Sequence, residues 1–291
     1  MRSKDRKIDY SLKLCREVLG LPAFHFGYFD ETRNRRETTH GTDTELTIDD
    51  LKQAQLKYTE KLLNYIPENV ETILDVGCGT GISTEMLISK GLNVECLSPD
   101  LYNQQIITEK FKDAVKFHLI KFEEFSTDKK YNLVLMSESS QYISLKILFY
   151  KCKETLTKNG YILLSDYFRK EPTSYYRNCA VLSEFLEEAE KNNFKILKSE
   201  DITENILPTL SLGNYYYQHY AIPILESLIS LANDELPKTT KIIKVLFKQK
   251  IYKQKKRIYE KYPEMLDTEQ FRKNLKYMIY LFRKGRETNA E

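Results

Sequence analysis

The chain has 291 residues, 41% hydrophobic and 30% charged, which suits one large α/β domain with an appended cap or two small domains sharing an interface. No apolar run of about 18 residues occurs, and the charged start from Met1 to Lys7 has no apolar stretch behind it, so neither a membrane span nor a signal peptide is expected and the cytoplasm is. A formal charge of +3 is too small to imply a polyanionic partner, and five cysteines without C-x-x-C spacing, with four scattered histidines, argue for reduced thiols and no metal site.

In chain order, residues 53–65 carry Ala54, Leu56, Leu62 and Leu63 at roughly helical spacing, and Pro67 ends that helix before a first strand at 72–76. A helix over 82–90, ended by Gly91, leads to a strand at 93–97, and a polar helix over 101–113 leads to a third strand at 115–119. A fourth strand is expected at 131–136, a helix at 144–157, a fifth strand at 161–165, a helix at 179–192 and a sixth strand from Phe194. About 70 helical-looking residues follow before a last strand at Tyr277–Phe282. The alternation predicts parallel strands with crossover helices, a doubly wound α/β sheet.

The strand at 72–76 runs directly into Gly77-Cys78-Gly79-Thr80-Gly81 with Asp75 two residues ahead. Glycine turns bring a backbone close to a ligand, and the following helix points its unpaired N–H groups there. The spacing is neither the G-x-G-x-x-G of dinucleotide binders nor a P-loop, which needs a lysine. This run resembles the first motif of class I S-adenosylmethionine (SAM)-dependent methyltransferases. The resemblance implies a Rossmann-like sheet of seven strands, SAM as cofactor, and Asp75, Gly77, Cys78, Gly79 and Gly81 on its methionine and ribose side.

The string Leu97-Ser98-Pro99-Asp100, with Gln104 and Gln105 after it, is similar to the tocopherol, sterol and cyclopropane-lipid branch of these enzymes, which implies ribose-side contacts from Ser98 and Asp100, while Glu138 after the fourth strand, followed by small polar residues and an aromatic, resembles prenyl-diphosphate C-methyltransferases and some amine methyltransferases. Phe122 and Glu123, after the third strand, stand where the family meets the adenine, with Phe122 either stacking on it or simply filling the core. At the end of the fourth strand, Ser137 is assigned to the cofactor and Glu138 either takes a proton from the acceptor, pairs with an ammonium, or only caps a helix. Neither the Asn/Asp-Pro-Pro-Tyr motif of amino methylation of nucleic acids nor a cysteine nucleophile is present there. Near the N-terminus, Phe24-His25-Phe26-Gly27-Tyr28, followed by Thr42 and Thr44, resembles a string folded over the methyl-transfer site, where His25 and Tyr28 either act as a base or a donor to the acceptor or belong to a structural aromatic plug.

The expected organisation is an N-terminal helical cap over 1–52, a SAM-binding core over 53–202, a helical insert over 203–272 and the last core strand with a tail over 273–291. Tyr215–Tyr220 in the insert either line its inner face or form a packed helix face. Residues 238–261 read as a basic amphipathic helix: a solvated face, or a contact for a membrane surface, a phosphorylated substrate or nucleic acid. The leading expectation is methylation of a small molecule at carbon or nitrogen, with oxygen and sulfur acceptors left open and an aminopropyl transferase on the same sheet as one competitor. The alternatives are RNA or protein methylation through the basic helix, or SAM binding without catalysis.

Overall fold

The computed structural model describes residues 10–30, 46–173 and 176–285; Thr42 and Thr44 lie outside them. Strands β1 (Thr72–Val76), β2 (Asn93–Leu97), β3 (Lys116–His118), β4 (Tyr131–Ser137), β5 (Leu156–Arg169), β6 (Phe194–Asp201) and β7 (Leu275–Lys284) form one sheet in the order β3-β2-β1-β4-β5-β7-β6. The first five are parallel, as the alternation predicts. β7 departs from that expectation: it runs antiparallel between β5 and β6, with Tyr161 opposite Arg283 and Arg169 opposite Leu275. An apolar run buried on both faces reads the same in either direction, so periodicity carries no orientation for it.

The crossover helices are α2 (Ile48–Leu63), α3 (Ile82–Ser89), α4 (Leu101–Phe111), α5 (Leu145–Thr155) and α6 (Leu182–Lys191). α2 begins five residues before its predicted start because Thr47 and Asp50 form a reciprocal capping box. α5 stops at Thr155, two residues early, because Leu156 already pairs with Tyr131 and β5 continues to Arg169. Ahead of α2, the described part of the N-terminal cap is helical only in α1 (Tyr10–Glu17); Leu21 to Phe29 is a strap without regular secondary structure. It is tied down on both sides, by Tyr28 N–H to the Ala54 carbonyl at 2.8 Å and by Phe29 N–H to the Asn205 carbonyl at 2.9 Å.

One face of the sheet buries Leu74, Val134, Ile162 and Phe282 against Phe149 of α5 and Phe185 of α6. The other buries Ile73, Leu135, Leu163, Ile279 and Tyr277 under α2 and the insert helix α7 (Thr203–Tyr216). A buried polar knot completes the first face: the Glu95 carboxylate on β2 accepts from Lys129 Nζ and His118 Nε2 at 2.6 Å and from the Tyr131 hydroxyl at 2.8 Å. Although burial alone would raise it, these donors hold Glu95 down to about 2. A carboxylate held below its usual range contributes stability that is full above about pH 4.5 and is lost as pH falls toward 2. Glu95→Ala is expected to cost about 2 kcal/mol at pH 7, since it leaves the buried Tyr131 hydroxyl and the half-buried His118 short of a partner, while the exposed Lys129 turns to water. Urea unfolding of both proteins checks this, with the difference shrinking from pH 5 to about pH 2.

Candidate active site

Gly77, Gly79 and Gly81 all have positive φ, at 80°, 53° and 77°, a conformation side-chain-bearing residues rarely adopt. Their reasons differ. A Cβ on Gly77 would lie 2.4 Å from the Ser139 Cβ, and one on Gly81 2.4 Å from Ile107 Cδ1, so these two glycines let the loop pack against its own fold. A Cβ on Gly79 would meet nothing within 4 Å. Gly79 is the open position, immediately ahead of α3, where a ligand can lie against the backbone and beside the positive end of the helix.

Asp75 is 2% exposed and accepts from the Thr84 hydroxyl at 2.9 Å, while burial raises its carboxyl to about 7. It braces β1 against the first turn of α3, a role given to Thr84 by position alone. Cys78 is buried beside Cys96, and that contact, with burial, pushes its thiol well above the ordinary range. Ser139 donates to the Val76 carbonyl at 2.6 Å and so ties the loop after β4 to the glycine loop.

The ribose and adenine candidates are more committed to the fold than the resemblance implies. Ser98 Oγ accepts from Asp100 N–H at 3.2 Å and from Asn103 Nδ2 at 3.1 Å. Asp100 caps α4, its Oδ1 accepting from Tyr102 and Asn103 N–H at 2.7 and 3.0 Å. Phe122, at 2% exposure, packs among Leu97, Phe125 and Met136, so it serves here as core and shows no open face for stacking. Glu123 is half-buried on the same short turn, Phe122–Glu124.

Glu138 stands one residue beyond β4 with φ of +51°, a strained value for a side-chain-bearing residue. Its N–H donates to the Ser165 carbonyl at 2.8 Å. Its Oε1 accepts from Phe26 N–H at 2.8 Å and from the Tyr277 hydroxyl at 2.6 Å. Burial, with a smaller push from the Asp166 carboxylate, raises Glu138 to about 8 against the pull of these donors. The Tyr277 hydroxyl also lies 3.0 Å from that of Tyr58, which is 3.2 Å from Ser137 Oγ. Phe26 and Tyr167 bring their rings to 5.7 and 6.1 Å from that of Tyr277. The result is a carboxyl group within reach of proton-carrying hydroxyls and walled by aromatic rings. Asp166 secures the loop beneath it by accepting from Ser140 Oγ at 2.6 Å.

His25 and Tyr28, the two N-terminal candidates, both have partners away from the Glu138 carboxyl. His25 Nδ1 donates to the Phe26 carbonyl at 2.8 Å, its Nε2 lies 3.2 Å from Thr59 Oγ1, and the ring rests on Tyr58 at 4.4 Å. Burial lowers it to about 4, so it is neutral at pH 7 with both nitrogens engaged. It orients the strap whose next amide holds Glu138. Tyr28 is directed elsewhere, with the Lys61 ammonium 4.8 Å over its ring, and the hydroxyls that reach Glu138's surroundings come instead from Tyr58 and Tyr277. In the insert, Tyr215 stacks on His219 and Tyr216 on Tyr220, with His219 and Tyr220 exposed. Among the described residues no group of three or more His, Cys, Asp or Glu side chains is placed to hold a metal ion.

Residues 50–200, which contain the glycine loop and Glu138, match the methyltransferase domain family. The chain belongs to that family. This SAM-dependent methyltransferase is 26% identical over 180 residues to malonyl-acyl-carrier-protein O-methyltransferase 2 of Ilyobacter polytropus, a match covering 55% of this chain and 70% of the relative. Its fold is shared with geranyl diphosphate C-methyltransferase of Streptomyces coelicolor, at TM-score 0.64 and 18% identity over 92% of both chains. A putative sarcosine dimethylglycine methyltransferase of Galdieria sulphuraria gives TM-score 0.66 at 15% identity, covering 95% of this chain and 99% of that one. The open backbone at Gly79 fits the cofactor of this methyltransferase, which when bound supplies an electrophilic methyl group.

Since the Tyr277 hydroxyl pulls the Glu138 pKa down, Tyr277→Phe is expected to raise it further and move any pH limb that Glu138 controls to more alkaline values. A pH–rate profile of the variant checks the sign.

Proposed function

We propose that the methyl group goes to a nitrogen, or to a carbon centre that becomes cationic, in a small molecule lying against Glu138, which takes up the proton released or pairs with the positive charge. The relatives include an O-methyltransferase and a C-methyltransferase, so the acceptor atom is argued from the site itself. The carrying observation is the combination at Glu138: a buried, strained carboxyl at about 8, surrounded by Phe26, Tyr58, Tyr167 and Tyr277. Aromatic faces attract cations at roughly 0.5–2 kcal/mol per contact, and a carboxylate adds charge pairing. Tyr167 also lines a cleft of about 370 Å³ that runs past Ser140, Gln141 and Asn178, within the size range of small-molecule sites.

Displacement at a sulfonium methyl is in-line, so positioning does most of the work. Glu138 contributes where a proton must leave: Tyr277 and the Phe26 amide hold Oε1 and fix the direction of the carboxylate, which leaves Oε2 as the accepting atom. A panel of secondary and tertiary amines and isoprenoids, incubated with methyl-labelled SAM, tests the assignment. Label in an amine or prenyl product supports it; label only in added RNA or protein contradicts it.

A further inference from the structure

The helical insert between β6 and β7 has two unlike halves. α7 buries Ile206, Leu207, Leu210 and Leu212. The next three helices, α8 (Ile222–Glu235), α9 (Pro237–Leu246) and α10 (Lys248–Lys256), bury no side chain at all. Their apolar groups face outward. Leu228 and Ile242 are each 58% exposed, and the corner joining α9 to α10 presents Val245, Leu246 and Phe247 at 72%, 70% and 49% exposure, between Lys244 and Lys248. Between α8 and α10 lies an apolar groove of about 320 Å³ bounded by Leu225, Ile229, Ile251 and Ile258, with Lys250 and Lys255 beside it. Residues 238–261 hold ten Lys and Arg and one Glu, in a chain whose formal charge is only +3.

A merely solvated face would turn its aliphatic groups inward and its charges out; here both are outside. We propose that α8–α10 dock on an anionic lipid surface, the Val245–Phe247 corner entering the headgroup boundary while the surrounding lysines meet the headgroup charges. Three successive apolar residues at an exposed corner find no reward on a nucleic acid, where binding rests chiefly on cations meeting phosphates. A second copy would bring a like-charged face against this one.

The test is co-sedimentation of the full chain with vesicles of phosphatidylcholine alone or with about one third phosphatidylserine, at about 0.1 M and about 1 M salt, where screening lengths are about 10 Å and about 3 Å. Binding is expected only with the anionic vesicles and only at the lower salt. Two multiple variants, L246S/F247S and K248E/K250E/K253E, should each weaken it about tenfold or more. Since none of these residues is buried, both should keep the wild-type melting curve and SAM affinity, which separates lost docking from lost folding. Absence of sedimentation with anionic vesicles, equal sedimentation with neutral ones, or unchanged binding by the apolar variant would overturn the proposal. Salt-sensitive RNA binding without vesicle binding, or self-association abolished by L246S/F247S without vesicle binding, would do the same.

Discussion

Glu138→Gln is expected to lower turnover by about two orders of magnitude or more while changing SAM affinity by less than about threefold. The substitution keeps the shape of the side chain and an oxygen that can accept from Phe26 N–H and the Tyr277 hydroxyl, so the strap and the aromatic wall stay in place. What it removes is the basic oxygen. The pH dependence gives the second reading. With its pKa raised to about 8, mainly by burial, Glu138 is largely protonated at pH 7, so a reaction using it as base should rise with pH and level off above about 8. In Glu138→Gln that rise should disappear. A variant that instead loses SAM binding would place Glu138 on the cofactor side, and one that keeps full turnover would leave it a structural residue.

Gly79→Val is the other substitution with a large expected effect, and it should act on binding before catalysis. Valine is branched at Cβ and poorly tolerates a φ of 53°, a backbone cost of about 1–3 kcal/mol. Because a Cβ there meets no protein atom within 4 Å, the new side chain occupies the space in front of the loop rather than disturbing the core. SAM affinity is expected to fall by about 100-fold or more, with a melting temperature lower by a few degrees. Gly77→Ala behaves differently on this account. Its Cβ would strike Ser139, so the damage should appear first as lost stability, and equilibrium dialysis beside thermal melts separates the two.

The parallel half of the sheet and the cofactor loop were legible because both are local: a buried run, a glycine turn and a helix lie within about twenty residues of chain. What surrounds Glu138 is not local. Tyr277 reaches Glu138 across 139 residues and Tyr58 across 219, and in sequence Tyr277 is one apolar-strand residue among several. Only the antiparallel course of β7 brings its hydroxyl under the end of β4, and direction is not written in the composition of a fully buried strand. The N-terminal string was not legible in its detail for a related reason. In the strap the useful group is the Phe26 amide, a backbone atom with no signature in the sequence, while His25 and Tyr28 turn to Thr59 and Lys61. Phe122 shows the general ambiguity of an aromatic beside a cofactor motif, which periodicity cannot distinguish from core.

The division of labour between Gly79 and Glu138 is tested most directly by calorimetric titration of three proteins, wild type, Gly79→Val and Glu138→Gln, with SAM and with S-adenosylhomocysteine. One-to-one binding of about micromolar affinity is expected for wild type, nearly the same affinity for Glu138→Gln, and no measurable heat for Gly79→Val. Absence of binding by the wild-type chain, or affinity undiminished in Gly79→Val, would contradict the assignment of the glycine loop as the cofactor site.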